Sequence, residues 1–288
     1  MVIEINQLPT ELLVPILQLV DKRWCMTTVI TCVRWHDVHM LNKQSSIETY
    51  RKACVHTLAL AKWSYANGMT LTRELTFFAA VSGELTILQW LISMQCPCDT
   101  ETYNLAAENG HIHILEWLFT HDGHAYDEKV YACAAGRGQI ATLEWLRAHE
   151  FPWDRTACDL AARLGQLETL KWLLMSGHEV DELTFAYAAK GGHMNVLKWL
   201  HMRGCPWDFR VMTFAAFWGH LHVLKWALER HCRYNRDVCY FAARNGDLAM
   251  LQWARSCRLP WDRLQVYKVA MQHHHYATAI WALNNGCV

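Results

Sequence analysis

The chain has 288 residues, 52% of them hydrophobic, and its 27 lysine and arginine residues are balanced by 27 aspartate and glutamate residues. A chain with no net charge and no basic stretch is not typical of proteins that bind nucleic acid through phosphate contacts. No apolar run approaches the roughly 20 residues that a membrane-spanning helix needs. The N-terminus lacks a basic stretch before an apolar segment and so does not resemble a secretory signal, and we expect a protein of the cytoplasm or the nucleus.

Residues 1–45 are predicted to be a separate module, because they do not follow the repeat that organises the rest of the chain. Leu-Pro-Thr-Glu-Leu-Leu begins at Leu8, an acidic residue follows at Asp21, and Cys32 and Trp35 come later at matching distances. This pattern resembles the F-box. The resemblance implies a three-helix bundle whose first helix starts at Pro9, since proline is favoured at the first helical position. About 45 residues make a poor core alone, so we expect the module to dock on a partner.

The F-box family binds the Skp adaptor of cullin-RING ubiquitin ligases, and the resemblance implies the same partner here. Carried over by position, the adaptor-binding residues are Leu8, Pro9, Glu11, Leu12, Ile16, Leu19, Ile30, Val33 and Trp35. The sequence departs from the family pattern at Pro15, at Thr31 and at the pair Cys25-Met26. A proline inside a helix can cost about 3 kcal/mol. A second interpretation therefore stays open, in which residues 1–45 only cap the rest of the chain.

Residues 46–288 are predicted to be a repeat array. An Ala-Ala pair ends ten residues before each central tryptophan, and a glycine follows three residues after the pair, as in Ala161-Ala162, Gly165 and Trp172. The end units, about 46–70 and 263–288, are degenerate, with His56 and His273 where the glycine is expected. The tryptophans that mark the repeat are 27 or 28 residues apart: Trp63, Trp90, Trp117, Trp145, Trp172, Trp199, Trp226, Trp253 and Trp281.

Each unit is predicted to be a helix pair plus a turn. In the unit from Asp154 to Val180, the carboxylate of Asp154 caps the first helix and Gly165 ends it. The second helix carries an apolar stripe through Leu170 and Trp172, and the repeat tryptophans are expected in the core. The small Ala-Ala pair lets neighbouring helices approach closely. The equivalent caps are Asp99, Asp127, Asp181, Asp208, Asn235 and Asp262.

The Ala-Ala-x-x-Gly-His stretch, as at residues 215–220, followed by an apolar second helix, resembles the ankyrin repeat. These units have 27 residues, whereas an ankyrin unit has about 33, and the shortfall lies where that family carries its β-hairpin. The resemblance implies an all-α fold, in which the F-box-like module precedes an α-solenoid of short helix pairs with truncated or absent β-hairpins. The Trp-Leu and Pro-Trp-Asp signatures are similar to those of compact ankyrin-like arrays in giant DNA viruses.

The sequence offers no catalytic constellation, and we expect neither an enzyme nor a cofactor or metal site. His111, His113 and the run His273–His275 lack the spaced cysteine partners of a structural zinc site. His111 follows the repeat glycine and is expected to begin a helix. Most of the twelve cysteines lie where other units have Ala, Gly or Tyr, and they are interpreted as small buried side chains in a reducing compartment. Cys96 and Cys98 lie in the turn where other units have Pro-Trp, and they are not expected to be a redox pair.

Three turn tryptophans have two interpretations. Trp153, Trp207 and Trp261 each lie between a proline and an aspartate, two units apart. Along one edge of the array they would form an aromatic stripe that contacts a client protein. Alternatively, each ring packs against the next unit's helix.

The combined pattern favours an adaptor whose F-box-like module binds a Skp-type protein while the array holds a client for ubiquitination. The alternative is a passive interaction scaffold or decoy. If the array is viral, the client would be a host protein.

Overall fold

The computed structural model describes residues 58–66, 70–121 and 126–285, and the predicted F-box-like module at residues 1–45 lies outside them. The described residues contain helices and no strand, as the predicted all-α fold and the absence of β-hairpins require. None of these helices is long and apolar enough to cross a lipid bilayer. The chain divides into two compact units, residues 1–125 and 126–288, and the division falls within the predicted array. The predicted boundary between residues 45 and 46 stays a prediction.

The described part of the first unit contains five helices. They are α1 (Leu58–Ala66), α2 (Arg73–Ser82), α3 (Leu85–Ser93), α4 (Thr100–Glu108) and α5 (Ile112–His121). Helices α2 and α3 pack as one pair, as do α4 and α5, and α4 also packs on α2. The expected helix pairs are therefore present here.

The second unit contains six further helix pairs within its described residues, 126–285. The first helices are α6 (Lys129–Gly136), α8 (Thr156–Arg163), α10 (Glu182–Gly191), α12 (Arg210–Phe217), α14 (Asp237–Arg244) and α16 (Arg263–Gln272). The second helices are α7 (Ile140–Ala148), α9 (Leu167–Met175), α11 (Met194–Met202), α13 (Leu221–Glu229), α15 (Leu248–Ser256) and α17 (Tyr276–Asn284).

The first helices of the second unit pack side by side in chain order, from α6 on α8 to α14 on α16. The Ala-Ala pairs of α6, α8, α10, α12 and α14 lie between them and are fully buried. A larger side chain at these positions would hold the helix axes apart, which is why alanine recurs there. The prediction that the pair allows close approach is confirmed.

All seven predicted helix caps accept a hydrogen bond from a backbone N–H of the first turn. Asp181 Oδ1, for example, accepts from the N–H groups of Leu183 and Thr184 at 2.8 and 3.2 Å. A helix start leaves several N–H groups without a partner, and these side chains satisfy one or two of them. The other six caps are Asp99, Asp127, Asp154, Asp208, Asn235 and Asp262.

The glycine after the first helix is required for two reasons at Gly192. Its φ of +73° is a left-handed conformation that side chains disfavour, and an added Cβ would lie 2.8 Å from the ring of His220 in the next pair. His220 Nε2 donates to the carbonyl of Lys190 at 3.0 Å, and His222 Nε2 donates to that of Gly192 at 3.1 Å. The histidines therefore connect one pair to the previous one.

The repeat tryptophans are less buried than the sequence predicts. Trp226 is 6% exposed, but Trp172 and Trp199 are only half-buried. In α9 the fully inward positions are occupied by Leu170 and Leu173, on either side of Trp172. The indole of Trp172 therefore lies at the border of the apolar stripe and is partly exposed. The expectation that these tryptophans form the core is wrong for most of them.

The last unit also differs from the prediction. The left-handed position that glycine occupies elsewhere falls on His274, with φ of +62°, and not on His273. The N–H of His275 then bonds to the carbonyl of Ala270 at 2.8 Å, as the N–H of His220 bonds to that of Ala215. The extra residue therefore lies within α16, because Ala270 is eight residues after the cap Asp262, whereas Ala215 is seven residues after Asp208.

Candidate protein-binding surfaces

The turn tryptophans are placed differently from one another. Trp153 is 49% exposed, and its ring centroid lies 3.9 Å from that of the buried His178 in the following turn. Trp207 is half-buried and contacts Phe185, His201 and Trp226, with centroid distances of 5.1, 5.0 and 5.7 Å. The packing interpretation therefore describes Trp207 well, while Trp153 keeps half of its surface open.

Trp261 is half-buried beneath a cation. The guanidinium carbon of Arg255 lies 4.5 Å from the Trp261 ring centroid, and Arg255 Nη1 donates to the carbonyl of Leu259 at 2.7 Å. Tyr234, at the equivalent turn position one unit earlier, is exposed. The open rings at this turn edge are therefore Trp153 and Tyr234, and a client contact by all three turn tryptophans stays a prediction.

A second surface lies at the C-terminal ends of α10, α12 and α14. We call it the cation–aromatic face, formed by Tyr187, Lys190, Phe214, Phe217, Trp218, Phe241 and Arg244. The rings of Phe217 and Phe241 meet edge to face at 5.0 Å, and those of Tyr187 and Phe214 meet at 6.0 Å. Phe217 is 36% exposed and Trp218 is 50% exposed. Adjacent helices thus present contiguous aromatic surface to solvent.

Two cations lie over these rings. Lys190 Nζ is 5.0 Å from the Trp218 ring centroid and 5.6 Å from that of Tyr187. The guanidinium carbon of Arg244 is 5.2 Å from the Phe217 ring centroid. Burial, with a smaller contribution from Arg163, lowers the pKa of Lys190. Both cations are therefore held against the rings, where a cation is attracted to the aromatic π-system.

The repeat explains why these side chains come together. Tyr187, Phe214 and Phe241 each precede an Ala-Ala pair, and Lys190, Phe217 and Arg244 each follow one. Because successive first helices pack side by side, residues 27 positions apart form a row across them. This face was not predicted from the sequence, because the prediction considered the apolar side of each helix and not the residues that flank the Ala-Ala pair.

Three buried cysteines have thiols that stay protonated. Burial is the largest cause that raises the pKa of the Cys96 thiol to about 11 and those of Cys158 and Cys232 to about 12. These thiols are protonated at neutral pH, which makes them poor nucleophiles and metal ligands. The interpretation as small buried side chains is confirmed for these three and for Cys239, whereas Cys98, Cys133 and Cys205 are only partly buried and Cys257 is exposed.

The histidine motifs bond to backbone carbonyls. In the first unit, His111 Nε2 donates to the carbonyl of Val81 at 3.0 Å, and His113 Nε2 donates to that of Gly83 at 2.9 Å. Within the described ranges, no group of three histidine, cysteine or acidic side chains is arranged to hold a metal ion. The His-x-His motif therefore has a structural role between helix pairs.

The predicted adaptor-binding residues all lie outside the described residues. They are Leu8, Pro9, Glu11, Leu12, Ile16, Leu19, Ile30, Val33 and Trp35. Their assignment rests on the sequence pattern.

Comparison with known proteins finds ankyrin repeats in part of the array. No curated protein matches the chain. The crystal structure of the human ASB11 ankyrin repeat domain is similar at 18% identity, with a TM-score of 0.42, and the match covers 55% of this chain and 84% of that one. A family model, Ankyrin repeats (3 copies), matches residues 76–184. Ankyrin repeats are protein-interaction modules that are generally non-enzymatic, and the three matched copies indicate a protein-interaction scaffold.

Proposed function

We propose that this chain is a substrate-recruiting adaptor of a ubiquitin ligase of the Skp-cullin-F-box type. The repeat array binds a client protein, and residues 1–45 bind the Skp adaptor. The chain itself performs no chemistry. Its mechanism is proximity, because a client held by the array stays within reach of the ubiquitin-charged enzyme.

One observation carries the client-binding half of this proposal, namely the cation–aromatic face. Exposed contiguous rings on rigid helices are typical of surfaces that bind proteins, where aromatic and arginine side chains contribute most of the affinity. Phe217 and Trp218 are the most exposed rings of the face. Trp153 on the turn edge is a second candidate contact, and Trp207 and Trp261 contribute less because they are packed.

The ligase half rests on the F-box-like pattern of residues 1–45. Leu12 and Ile16 lie at positions where that family contacts the adaptor. The resemblance to viral arrays supports a host protein as the client, in the cytoplasm or nucleus.

Pro15 favours a second candidate function, a passive interaction scaffold or decoy. Proline removes a backbone donor in the middle of the predicted adaptor-binding helix. In that case the N-terminal segment caps the array and no ligase is recruited.

A binding measurement with the purified Skp adaptor separates the two functions. We expect the full chain to bind at micromolar concentration or tighter, and the double variant Leu12→Asp, Ile16→Asp to lose binding while keeping its helical circular dichroism. The double variant Lys198→Glu, Lys225→Glu changes exposed second-helix residues and is the matched control, which should bind as the unmodified chain does. No binding by the unmodified chain would contradict the adaptor function and leave the scaffold.

A further inference from the structure

The cation–aromatic face carries positive charge that the described residues do not neutralise. Lys190 and Arg244 form no ion pair within the described residues, and neither does Arg163 at the end of the adjacent helix α8. The last turns of α8, α10, α12 and α14 contain no aspartate or glutamate. The face and the neighbouring Arg163 together combine three cations with exposed rings, and those turns contain no carboxylate side chain.

The opposite ends of α8 and α12 differ, because cations there have carboxylate partners. Arg155 Nη1 lies 2.8 Å from Asp181 Oδ2, and Arg210 Nε lies 2.8 Å from Asp208 Oδ2. Arg155 and Arg210 near the helix N-termini are thus paired with capping carboxylates, whereas Lys190 and Arg244 near the C-termini lie over rings. A ring stabilises a cation less than a carboxylate does, so a carboxylate from a partner would still bind there.

We propose that the cation–aromatic face binds an acidic, extended segment of the client protein, whose carboxylates pair with Arg163, Lys190 and Arg244 and whose apolar side chains pack on Phe217 and Trp218. This assignment rests on the proposed client-binding function and names the chemistry of its partner. Guanidinium and ammonium groups bind carboxylates through charge-assisted hydrogen bonds, and the adjacent rings exclude water from those bonds.

The helix spacing sets the pattern of such a segment. Packed helices lie about 10 Å apart, so Arg163 and Lys190 are separated by about one spacing and Lys190 and Arg244 by about two. An extended chain covers about 3.3 Å per residue. The segment therefore has about ten residues, with a second carboxylate about three residues after the first and a third about six residues later. An apolar pair lies between the second and third carboxylates, over Phe217 and Trp218.

Charge and geometry favour a protein over nucleic acid. Nucleic-acid sites neutralise a series of phosphates, and affinity grows with the number of such contacts. This face and the neighbouring Arg163 offer three cations along a row of four helices, and the chain as a whole has no net charge. Its exposed rings, Phe217 and Trp218, lie beside these cations, which suits side chains that bury apolar surface beside a few ion pairs.

The test measures fluorescence anisotropy of a labelled peptide with this spacing and a Leu-Phe pair as its apolar residues. A second peptide replaces every carboxylate by its amide. We expect the full chain to bind the acidic peptide with micromolar affinity, at least tenfold tighter than the amide peptide, and more weakly as salt is raised. The double variant Lys190→Glu, Arg244→Glu should weaken binding at least tenfold, and Trp218→Ser should weaken it several-fold.

The matched control is again Lys198→Glu, Lys225→Glu, which reverses the same number of charges on the second helices α11 and α13 and should leave peptide binding unchanged. Circular dichroism checks that each variant is folded. Equal affinity for the two peptides, no binding of either, or unchanged binding by Lys190→Glu, Arg244→Glu would overturn the proposal. Tighter binding of single-stranded RNA that the same variant abolishes would assign the face to nucleic acid instead. Binding of the full chain to the Skp adaptor depends on residues 1–45 and is measured separately. Failure of the peptide test therefore leaves the adaptor proposal standing.

Discussion

The two ends of the first helices in the second unit are built by the same repeat but have different chemistry. At the N-terminal end, caps such as Asp181 are bonded to backbone N–H groups and to neighbouring cations, and Trp207 is packed among three rings. At the C-terminal end, Lys190 lies over the rings of Trp218 and Tyr187, and Trp218 remains 50% exposed. Side chains packed or ion-paired within the array hold it together, whereas exposed rings and cations that lack a carboxylate partner are available to a client.

Removing a packed turn tryptophan should give the largest loss of stability. Trp207→Ala removes contacts with Phe185, His201 and Trp226, and we expect the free energy of unfolding to fall by roughly 2–3 kcal/mol. Trp153→Ala, at the equivalent position two units earlier, should cost about 1 kcal/mol because half of that ring is already exposed. Urea denaturation followed by circular dichroism measures both values. Equal losses would mean that the turn edge does not distinguish packed from open tryptophans.

A matched pair of glycine variants tests the C-terminal end next. Gly192→Ala places a Cβ 2.8 Å from the His220 ring, so it should cost about 2 kcal/mol through backbone strain and displacement of that ring. Gly219 has φ of +81° but nothing within 4 Å of an added Cβ, so Gly219→Ala should cost about 1 kcal/mol from strain alone. Thermal unfolding of both variants gives the difference. Equal costs would show that the His220 contact contributes nothing beyond the glycine conformation.

The cap and the cation at opposite ends of α10 should also differ in their contribution to stability. Asp181→Ala removes two bonds to backbone N–H groups and the partner of Arg155, and it should cost about 1 kcal/mol. Lys190→Ala should change stability by less than about 0.5 kcal/mol, because it removes only a surface contact with two rings. The midpoints of urea denaturation compare the two variants. A larger loss for Lys190→Ala would make the cation–aromatic face part of the structural framework and not a binding surface.

The sequence was sufficient for most of the framework, because each framework residue has a partner at a fixed distance along the chain. The caps, the Ala-Ala pairs and the repeat glycines satisfy local needs of one helix end or one helix contact, and all were predicted. The burial of the repeat tryptophans was predicted wrongly. Periodicity places Trp172 on the apolar side of α9 but does not show that Leu170 and Leu173 occupy the inward positions. The prediction of His273 counted forward from the first helix, whereas the glycine lies seven residues before the tryptophan in each central unit, and that spacing from Trp281 gives His274.

The candidate site was less predictable than the framework for a physical reason. The cation–aromatic face depends on which residues become neighbours across α10, α12 and α14, and that follows only once the first helices are known to pack side by side. A clue was present, since apolar residues on both sides of an Ala-Ala pair cannot all face the core. The adaptor contacts at residues 1–45 are still predicted from sequence alone.

The smallest expected effect concerns a buried carboxyl between the two ends. Asp159 on α8 is 7% exposed, and its Oδ1 accepts a hydrogen bond from Thr184 Oγ1 on α10 at 2.7 Å. Burial raises the pKa of the Asp159 carboxyl above its usual 3.8, although the bond from Thr184 acts in the opposite direction. The native state therefore holds this proton more tightly than the unfolded chain does. The resulting stability is complete below pH 3.8 and is lost as the pH rises through the raised pKa.

Asp159→Asn keeps an oxygen that accepts from Thr184 but carries no charge. We expect the variant to be slightly more stable than the unmodified chain at pH 7 and equal to it near pH 3.8, because the buried charge is then absent from both. Denaturation series between those pH values measure the difference, with Thr184→Val as the control that removes the donor and should destabilise most at pH 7. A variant that is less stable at pH 7 would mean that the ionised carboxylate stabilises the contact between α8 and α10, and the helix centres would then depend on charge as their N-terminal ends do.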